Sequence, residues 1–356
     1  MAVYEIKRNV VPASTKWAFT TRRAHRTDVS GLDKTVQHGV AGDLVLCELL
    51  EVGQHKKLQL ANQRYSEVYP GDMIVACVGD RYAPDQFEGR SELSPEAGDL
   101  LAAGGVVGTM ERAHAKMSKP TQVRPIGLLT DANGEVINIA RYALTSATIP
   151  LRLSVIGVFG ASMNSGKTTA AVSLAHGLAR AGFQVAGVKA TGTGAFGDFN
   201  ALEDAGISAL DFTDAGMPKT YRMPMDRIER GFETLVGTAA ANGTDIAVVE
   251  FADGVFQDET AAILKGSAIR ERLDGIMFAA PDALSSVGGV EFLRKLELEP
   301  FAVSGMVTCS PLATLEAEAQ TGITHLTRDQ LLDPDVVRNA TAPAIRARLV
   351  YELDAA

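Results

Sequence analysis

At 356 residues, 46% apolar and 22% charged, the chain is long enough for two or three domains and has the composition of a packed protein, which excludes long disorder. Its net charge of −9 argues against a general nucleic-acid or membrane-surface binder. The three cysteines, Cys47, Cys77 and Cys309, have neither zinc nor disulfide spacing and read as buried, reduced thiols. With no signal-peptide core and no apolar run of membrane-spanning length, the chain is expected in the cytoplasm.

Up to about residue 150 the apolar runs are short and broken by Gly, Pro and Asp. Asp43–Val52, Lys57–Ala61, Met73–Val78, Val106–Thr109, Ile126–Thr130 and Val136–Ala140 read as strands, separated by turn signals such as Gly42-Asp43, Gly71-Asp72 and Asn133-Gly134. Strands of this length and spacing predict a small, mostly-β, barrel-like domain over residues 1–150, a substrate or partner domain. Only Pro95–Ala103 has a helical period. The basic run Lys16, Arg22, Arg23 and Arg26 reads as a solvated loop. The polar loop Gly79–Gly89, with Arg81, Tyr82, Asp85, Gln86 and Glu88, reads as a structural loop or as a substrate or interdomain contact.

From residue 151 to 356 strands and helices alternate. Ser154–Phe159, Val185–Ala190, Ile246–Phe251, Gly275–Ala280 and Ala302–Cys309 are apolar throughout, as parallel strands covered on both faces should be. Helices are expected over Lys167–Arg180, Asp226–Asn242, Glu259–Leu273 and Ser285–Leu296, with one or two more closing the chain after Leu326. The fold class is α/β, a doubly wound parallel sheet preceded by the β domain. Ligands of such sheets bind at the carboxyl ends of the strands.

The first of those ends carries the strongest signal. Ala161, Ser162, Met163, Asn164, Ser165, Gly166, Lys167, Thr168 and Thr169 follow a buried strand and open a helix. This is the setting of a phosphate-binding (Walker A) loop, in which backbone N–H groups face an anion. Lys167 is placed to reach the β- and γ-phosphates and Thr168 to ligate Mg²⁺. Ala161 stands where the strict pattern has its first Gly, and Gly160 before it also loosens the turn. The cofactors expected are therefore ATP, or GTP, and Mg²⁺.

Lys189 ends the second strand before Ala-Thr-Gly-Thr-Gly, placed to stabilise a transferring phosphoryl group or an anionic substrate. Glu250 or Asp253 at the third strand end would hold the metal, with Glu250 preferred. Asp198, Asp204, Asp211 and Asp214 are further candidates, with Asp211 ranked first for the metal and Asp198 second; others of the four are caps and turns. The polar strand end Val307–Leu312 is a candidate wall of a purine pocket or a plain loop. No histidine pair has the spacing of a helical metal site.

These segments resemble the dethiobiotin synthetase-like group of phosphate-loop NTPases over roughly residues 151–310. The loop lacks the extra lysine of partitioning ATPases. Lys189 with its Thr-Gly-Thr-Gly tail resembles that group's Lys-Pro-x-x-x-Gly strand end, and Val248–Phe256 resembles its Val-Glu-Gly-Ala-Gly-Gly strand end. The resemblance implies a substrate- and phosphate-contacting role for Lys189 and a Mg²⁺ role for Glu250. Pro is missing after Lys189, and Phe251 and Asp253 replace glycines. The Asp198 segment is closer to a less characterised branch, in which an unrelated N-terminal domain precedes the phosphate-loop domain and some members are assigned D-amino-acid N-acyl transfer.

The expected function is Mg·nucleotide-dependent activation of a small anionic metabolite by phosphoryl transfer, as in a ligase, synthetase or kinase, in a homo-oligomer. Lys167 and Lys189 would be catalytic. The alternatives are an N-acyltransferase acting on an amino acid, and a nucleotide-gated regulatory NTPase.

Overall fold

The computed structural model describes residues 10–354, which fall into two units. The first runs to Ala143 and takes back two later segments, Thr193–Phe196 and Gly216–Lys219. The second holds Leu144–Gly192, Gly197–Ala215 and the chain from Thr220.

Period-two burial builds the first unit. Its strands are β1 (Lys16–Trp17), β2 (Gly31–Asp33), β3 (Leu44–Glu51), β4 (Lys57–Gln59) and β5 (Tyr65–Glu67). They are followed by β6 (Met73–Val78), β7 (Phe87–Arg90), β8 (Gly98–Ala102), β9 (Val106–Ala113) and β10 (Thr121–Thr130). Antiparallel pairs β3–β6, β3–β10, β8–β10 and β8–β9, with one parallel pair β6–β9, close a ring of strands. Along β3, Val45, Cys47 and Leu49 enter one core cluster while Leu44 and Leu46 enter another. β6 divides in the same way, as alternation across a strand requires.

Three readings of this half change. Pro95–Ala103 is not helical: Gly98–Ala102 is strand β8, held between β9 and β10. Val136–Ala140 is no continuous strand: Val136 and Asn138 make isolated bridges to Thr130 and Asp43, and the Asn138 side chain then accepts from Ala140 N–H and starts a 3-10 turn, Ile139–Tyr142. The basic run is engaged and not merely solvated: Lys16 pairs with Asp72 at 2.5 Å, and Arg26 lies over the Trp17 ring at 5.0 Å.

The two returning segments are tied in by polar contacts. Phe196 N–H donates to Gln59 Oε1 at 2.7 Å, and Lys219 forms a buried ion pair with Asp80 at 2.7 Å. In the 79–89 loop Arg81 donates to Gln86 Oε1 at 2.8 Å and its backbone bridges to Gly89, and its guanidinium also donates to Leu101 O, so Arg81 ties the loop to itself and to β8.

The second unit begins with β11 (Ser154–Gly160), α1 (Lys167–Arg180), β12 (Val185–Lys189), α2 (Phe196–Asp204), β13 (Ser208–Asp211), α3 (Met225–Ala241) and β14 (Ile246–Glu250). It continues with α4 (Asp258–Lys265), α5 (Ala268–Arg272), β15 (Gly275–Ala279), α6 (Ala283–Arg294) and β16 (Ala302–Ser304). The sheet is parallel throughout, in the order β13-β12-β14-β11-β15-β16. On one face Ile156 and Val158 pack against Ala170, Leu174 and Leu178 of α1. On the other, the Phe159 and Phe251 rings stack with centroids 4.4 Å apart, worth roughly 0.5–1.5 kcal/mol beyond burial. From β11 the chain runs outward to β12 and β13, then returns to β14 and passes on to β15 and β16, so the connections leave the neighbouring strands β11 and β14 in opposite directions and the switch point lies at their carboxyl ends.

Here too the boundaries shift for physical reasons. The helix expected over Glu259–Leu273 is broken at Gly266, and Ser267 starts α5 by accepting from Arg270 N–H at 3.1 Å. The strand expected over Ala302–Cys309 stops at Ser304, where Gly305 (φ 98°) turns the chain into a 3-10 segment, Met306–Cys309. Ser310 then caps α7 (Pro311–Thr321), with Pro311 in its first turn; α8 (Arg328–Leu332) and α9 (Pro334–Asp354) close the chain. Cys47 and Cys77 are buried in β3 and β6, but Cys309 is exposed because that last strand segment does not form. Among the described residues no helix is long and apolar enough to cross a membrane.

Candidate functional site

Between the end of β11 and the start of α1, Asn164 (φ 62°) and Gly166 (φ 96°) take left-handed conformations that fold the loop back on itself. Neighbouring strand ends pin it. Ala161 N–H donates to Ala279 O at 2.9 Å, Val255 N–H to Gly160 O at 3.0 Å and Met306 N–H to Ser165 O at 3.1 Å. Two glycines make room for the loop, Gly160 for its side chains and Gly305 for its backbone. A Cβ on Gly160 would lie 2.5 Å from Ser165 Oγ, and one on Gly305 would lie 2.2 Å from Ser165 O.

Gly305→Ala therefore combines that clash with a positive-φ conformation (φ 98°, ψ −157°) that essentially only glycine adopts, whose cost alone is about 1–3 kcal/mol. It should lower the melting temperature by roughly 2–8 °C. Unchanged thermal denaturation would contradict this packing.

The loop is prepared for an anion. α1 has no side-chain cap, so its first backbone N–H groups have no side-chain acceptor. Ser165 Oγ is buried without a hydrogen-bond partner. Lys167, the first residue of α1, donates to Ser162 O at 2.8 Å, and burial brings its pKa down to about 8 against the pull of Glu250.

Beside the loop four side chains form one cluster. Lys189 and Glu250 end β12 and β14 and are register partners, so both side chains leave the sheet on the same face. Lys189 Nζ lies 2.5 Å from Glu250 Oε1 and 2.7 Å from Asp198 Oδ2. Thr168 Oγ1, in the first turn of α1, is 2.9 Å from Asp198 Oδ1 and 3.1 Å from Glu250 Oε1, and its single proton serves one carboxylate at a time.

Burial disfavours charge on Lys189, but Asp198 and Glu250 outweigh it and raise the lysine's pKa. Burial would likewise raise Asp198; Lys189 overcomes it and holds that carboxyl below its usual range. In Glu250 burial prevails over the lysine and pushes the carboxyl up.

Of the acidic candidates, Asp198 and not Asp211 stands at Thr168. Asp211 is the register partner of Lys189 on the opposite side, but its Oδ1 is turned into the following bend, accepting from Thr213 N–H at 2.8 Å and Thr213 Oγ1 at 2.6 Å. Asp214 accepts from Asp211 N–H, and Asp204 is exposed at the end of α2. Asp253 sits in a left-handed turn (φ 62°) after β14. The signal that finds Asp198 is its place in the first turn of a helix directly after the glycine-rich end of β12.

No group of three or more His, Cys, Asp or Glu that could hold a metal occurs among the described residues. Mg²⁺ does not require one, since it is commonly held by one or two carboxylates plus substrate phosphates. Thr168, Asp198 and Glu250 are a donor set of that kind.

On the other side of the loop a cavity of about 350 Å³ is lined by Gly166, Thr169, Ser304, Met306, Thr308 and Arg328, among others. The region after the fifth strand, read as a pocket wall or a plain loop, thus lines a cavity at the start of α1.

No family model and no curated protein matches the chain. Similar solved structures include the signal recognition particle 54 kDa protein of Aeropyrum pernix K1 in complex with GDP, at 21% identity and a TM-score of 0.36, covering 57% of this chain and 49% of that one. The signal recognition particle receptor FtsY of Elizabethkingia anophelis in complex with GDP is 15% identical with a TM-score of 0.36, covering 53% and 63%. FtsY of Mycoplasma mycoides is 14% identical with a TM-score of 0.36, covering 58% and 74%. The chain thus spans about half the length of the first of these structures. None of the three is a dethiobiotin synthetase.

Proposed function

We propose that this chain binds a nucleoside triphosphate with Mg²⁺ and transfers its terminal phosphoryl group to a small anionic acceptor. The observation that carries the reading is the cluster of Thr168, Lys189, Asp198 and Glu250 beside the pinned loop, with Lys189 and Glu250 buried and Asp198 and Thr168 partly exposed. A structural ion pair alone does not call for a helix-terminal hydroxyl and two carboxylates at a switch point, next to an uncapped helix N-terminus.

The loop N–H groups and Lys167 hold the phosphates. Thr168, Glu250 and Asp198 hold the metal, which neutralises charge on the phosphates when bound. Lys189 serves the transferring group or the acceptor carboxylate. The cavity at Thr169 and Thr308 is of a size for ligand binding and adjoins Gly166 of the loop, which supports it as the place for the base. Its lining supports ATP and GTP alike. The likeness of the Lys189 and Glu250 strand ends to the dethiobiotin synthetase-like group supports a carboxylate or carbamate acceptor, followed by ligation or ring closure.

Calorimetry with Mg·ATP and Mg·GTP tests the reading, and failure of both to bind the folded chain sinks it. Glu250→Gln should leave binding of metal-free nucleotide in place while raising the Mg²⁺ concentration needed for half-maximal turnover. If the Mg²⁺ dependence stays put in Glu250→Gln and moves in Asp253→Asn, the metal role belongs to Asp253.

A further inference from the structure

The Lys189 ammonium is held by the same groups that the reading above gives to the metal. It bridges Glu250 and Asp198, at 2.5 and 2.7 Å, and those two carboxylates are the partners of Thr168 Oγ1. Lys189 and Glu250 are both more than nine-tenths buried, so the charges act on one another with little water between them. One ammonium thus balances a pair of carboxylates, and a divalent ion would need their oxygens at about 2.0–2.1 Å.

We propose that Lys189 is an internal cation that keeps the metal site closed until nucleotide arrives. A divalent ion alone must displace the ammonium and then remain close to it beside the buried Glu250, where like charges repel more strongly than in open solvent. A triphosphate on the loop changes the balance. Its negative charge compensates both cations, the metal takes the carboxylates, and the released ammonium is available to the phosphoryl group. Metal and nucleotide then bind together, and Lys189 determines that coupling. The inference rests on the nucleotide reading for its purpose, but its test uses no nucleotide.

Mn²⁺ is titrated into the nucleotide-free full chain, with free ion followed by electron paramagnetic resonance. The wild type should show weak binding. Lys189→Met and Lys189→Gln should bind Mn²⁺ about tenfold tighter or more, because the buried Glu250 and the half-buried Asp198 lose their counter-charge. Lys189→Arg should stay close to wild type. Adding Glu250→Gln to Lys189→Met should abolish the gain.

Equal Mn²⁺ affinity in the wild type and both neutral variants would overturn the proposal. So would an equal gain in Lys189→Arg, or a gain that survives Glu250→Gln. Circular dichroism checks folding, and if Lys189→Met does not fold, Lys189→Gln against Lys189→Arg decides the matter. Failure of the wild type to bind any nucleoside triphosphate would sink the proposed function and leave these metal titrations to be judged separately.

Discussion

Lys167→Ala should leave the fold intact and weaken nucleoside triphosphate binding about ten- to a hundredfold. The side chain is 6% exposed, and its ammonium donates to Ser162 O within its own loop. Removing it loses one charge-assisted contact to phosphate, worth about 1.5–3 kcal/mol, and about 1.4 kcal/mol is a tenfold change in affinity. The fold survives because α1 is held by apolar residues about two turns or more beyond Lys167, including Leu174, Ala175 and Leu178 against the sheet. Calorimetry of a variant with wild-type circular dichroism gives the answer. Unchanged affinity would remove Lys167 from the phosphates and with it the reading of the loop.

The loop was legible in the sequence because its requirements are local. A buried apolar strand, a run of small residues and a helix start all lie within a few residues of one another. Lys189 and Glu250 were legible because each directly follows an apolar run, and the end of such a run is where a parallel strand leaves its sheet. Asp198 ranked below Asp211 because the choice depends on tertiary placement. Asp211 has the better position along its strand, yet Thr213 two residues on offers its carboxylate an N–H and a hydroxyl. Asp198 lies on a helix interrupted by Gly197 and Asn200, which hides its period.

The first half shows the same divide. Longer strands such as Met73–Val78 are continuous apolar runs bounded by turn residues and can be read, whereas β1, β2 and β5 are two or three residues long and exist only through their partners. The two returning segments depend on groups distant in sequence, Gln59 for Phe196 and Asp80 for Lys219, and no local pattern announces such pairs. The break after Ser304 is of this kind as well. Gly305 reads as an ordinary glycine inside a strand until Ser165 O is found where a Cβ would stand.

Lys189→Met should lower turnover by about two orders of magnitude or more, a rise in barrier of about 2.7 kcal/mol, while changing nucleotide affinity far less. The two effects separate because the residues do. The nucleotide is held by the loop and Lys167, whereas Lys189 comes from another strand and reaches only the carboxylate cluster. An ammonium there acts on charge that develops at the transferring group or on the acceptor, so its removal is felt more in the transition state than in the bound ground state. Methionine keeps the length and apolar stem of lysine, so the change removes charge more than volume. A regulatory NTPase predicts another pattern, with basal hydrolysis near wild type and the loss falling on partner binding. An N-acyltransferase would show acyl transfer with no nucleotide consumed. Steady-state turnover measured beside calorimetric affinity distinguishes these cases. If both stay at wild-type values in a folded Lys189→Met variant, the lysine is a structural counter-ion to Glu250 and Asp198, and phosphoryl transfer loses its principal support in this half of the chain.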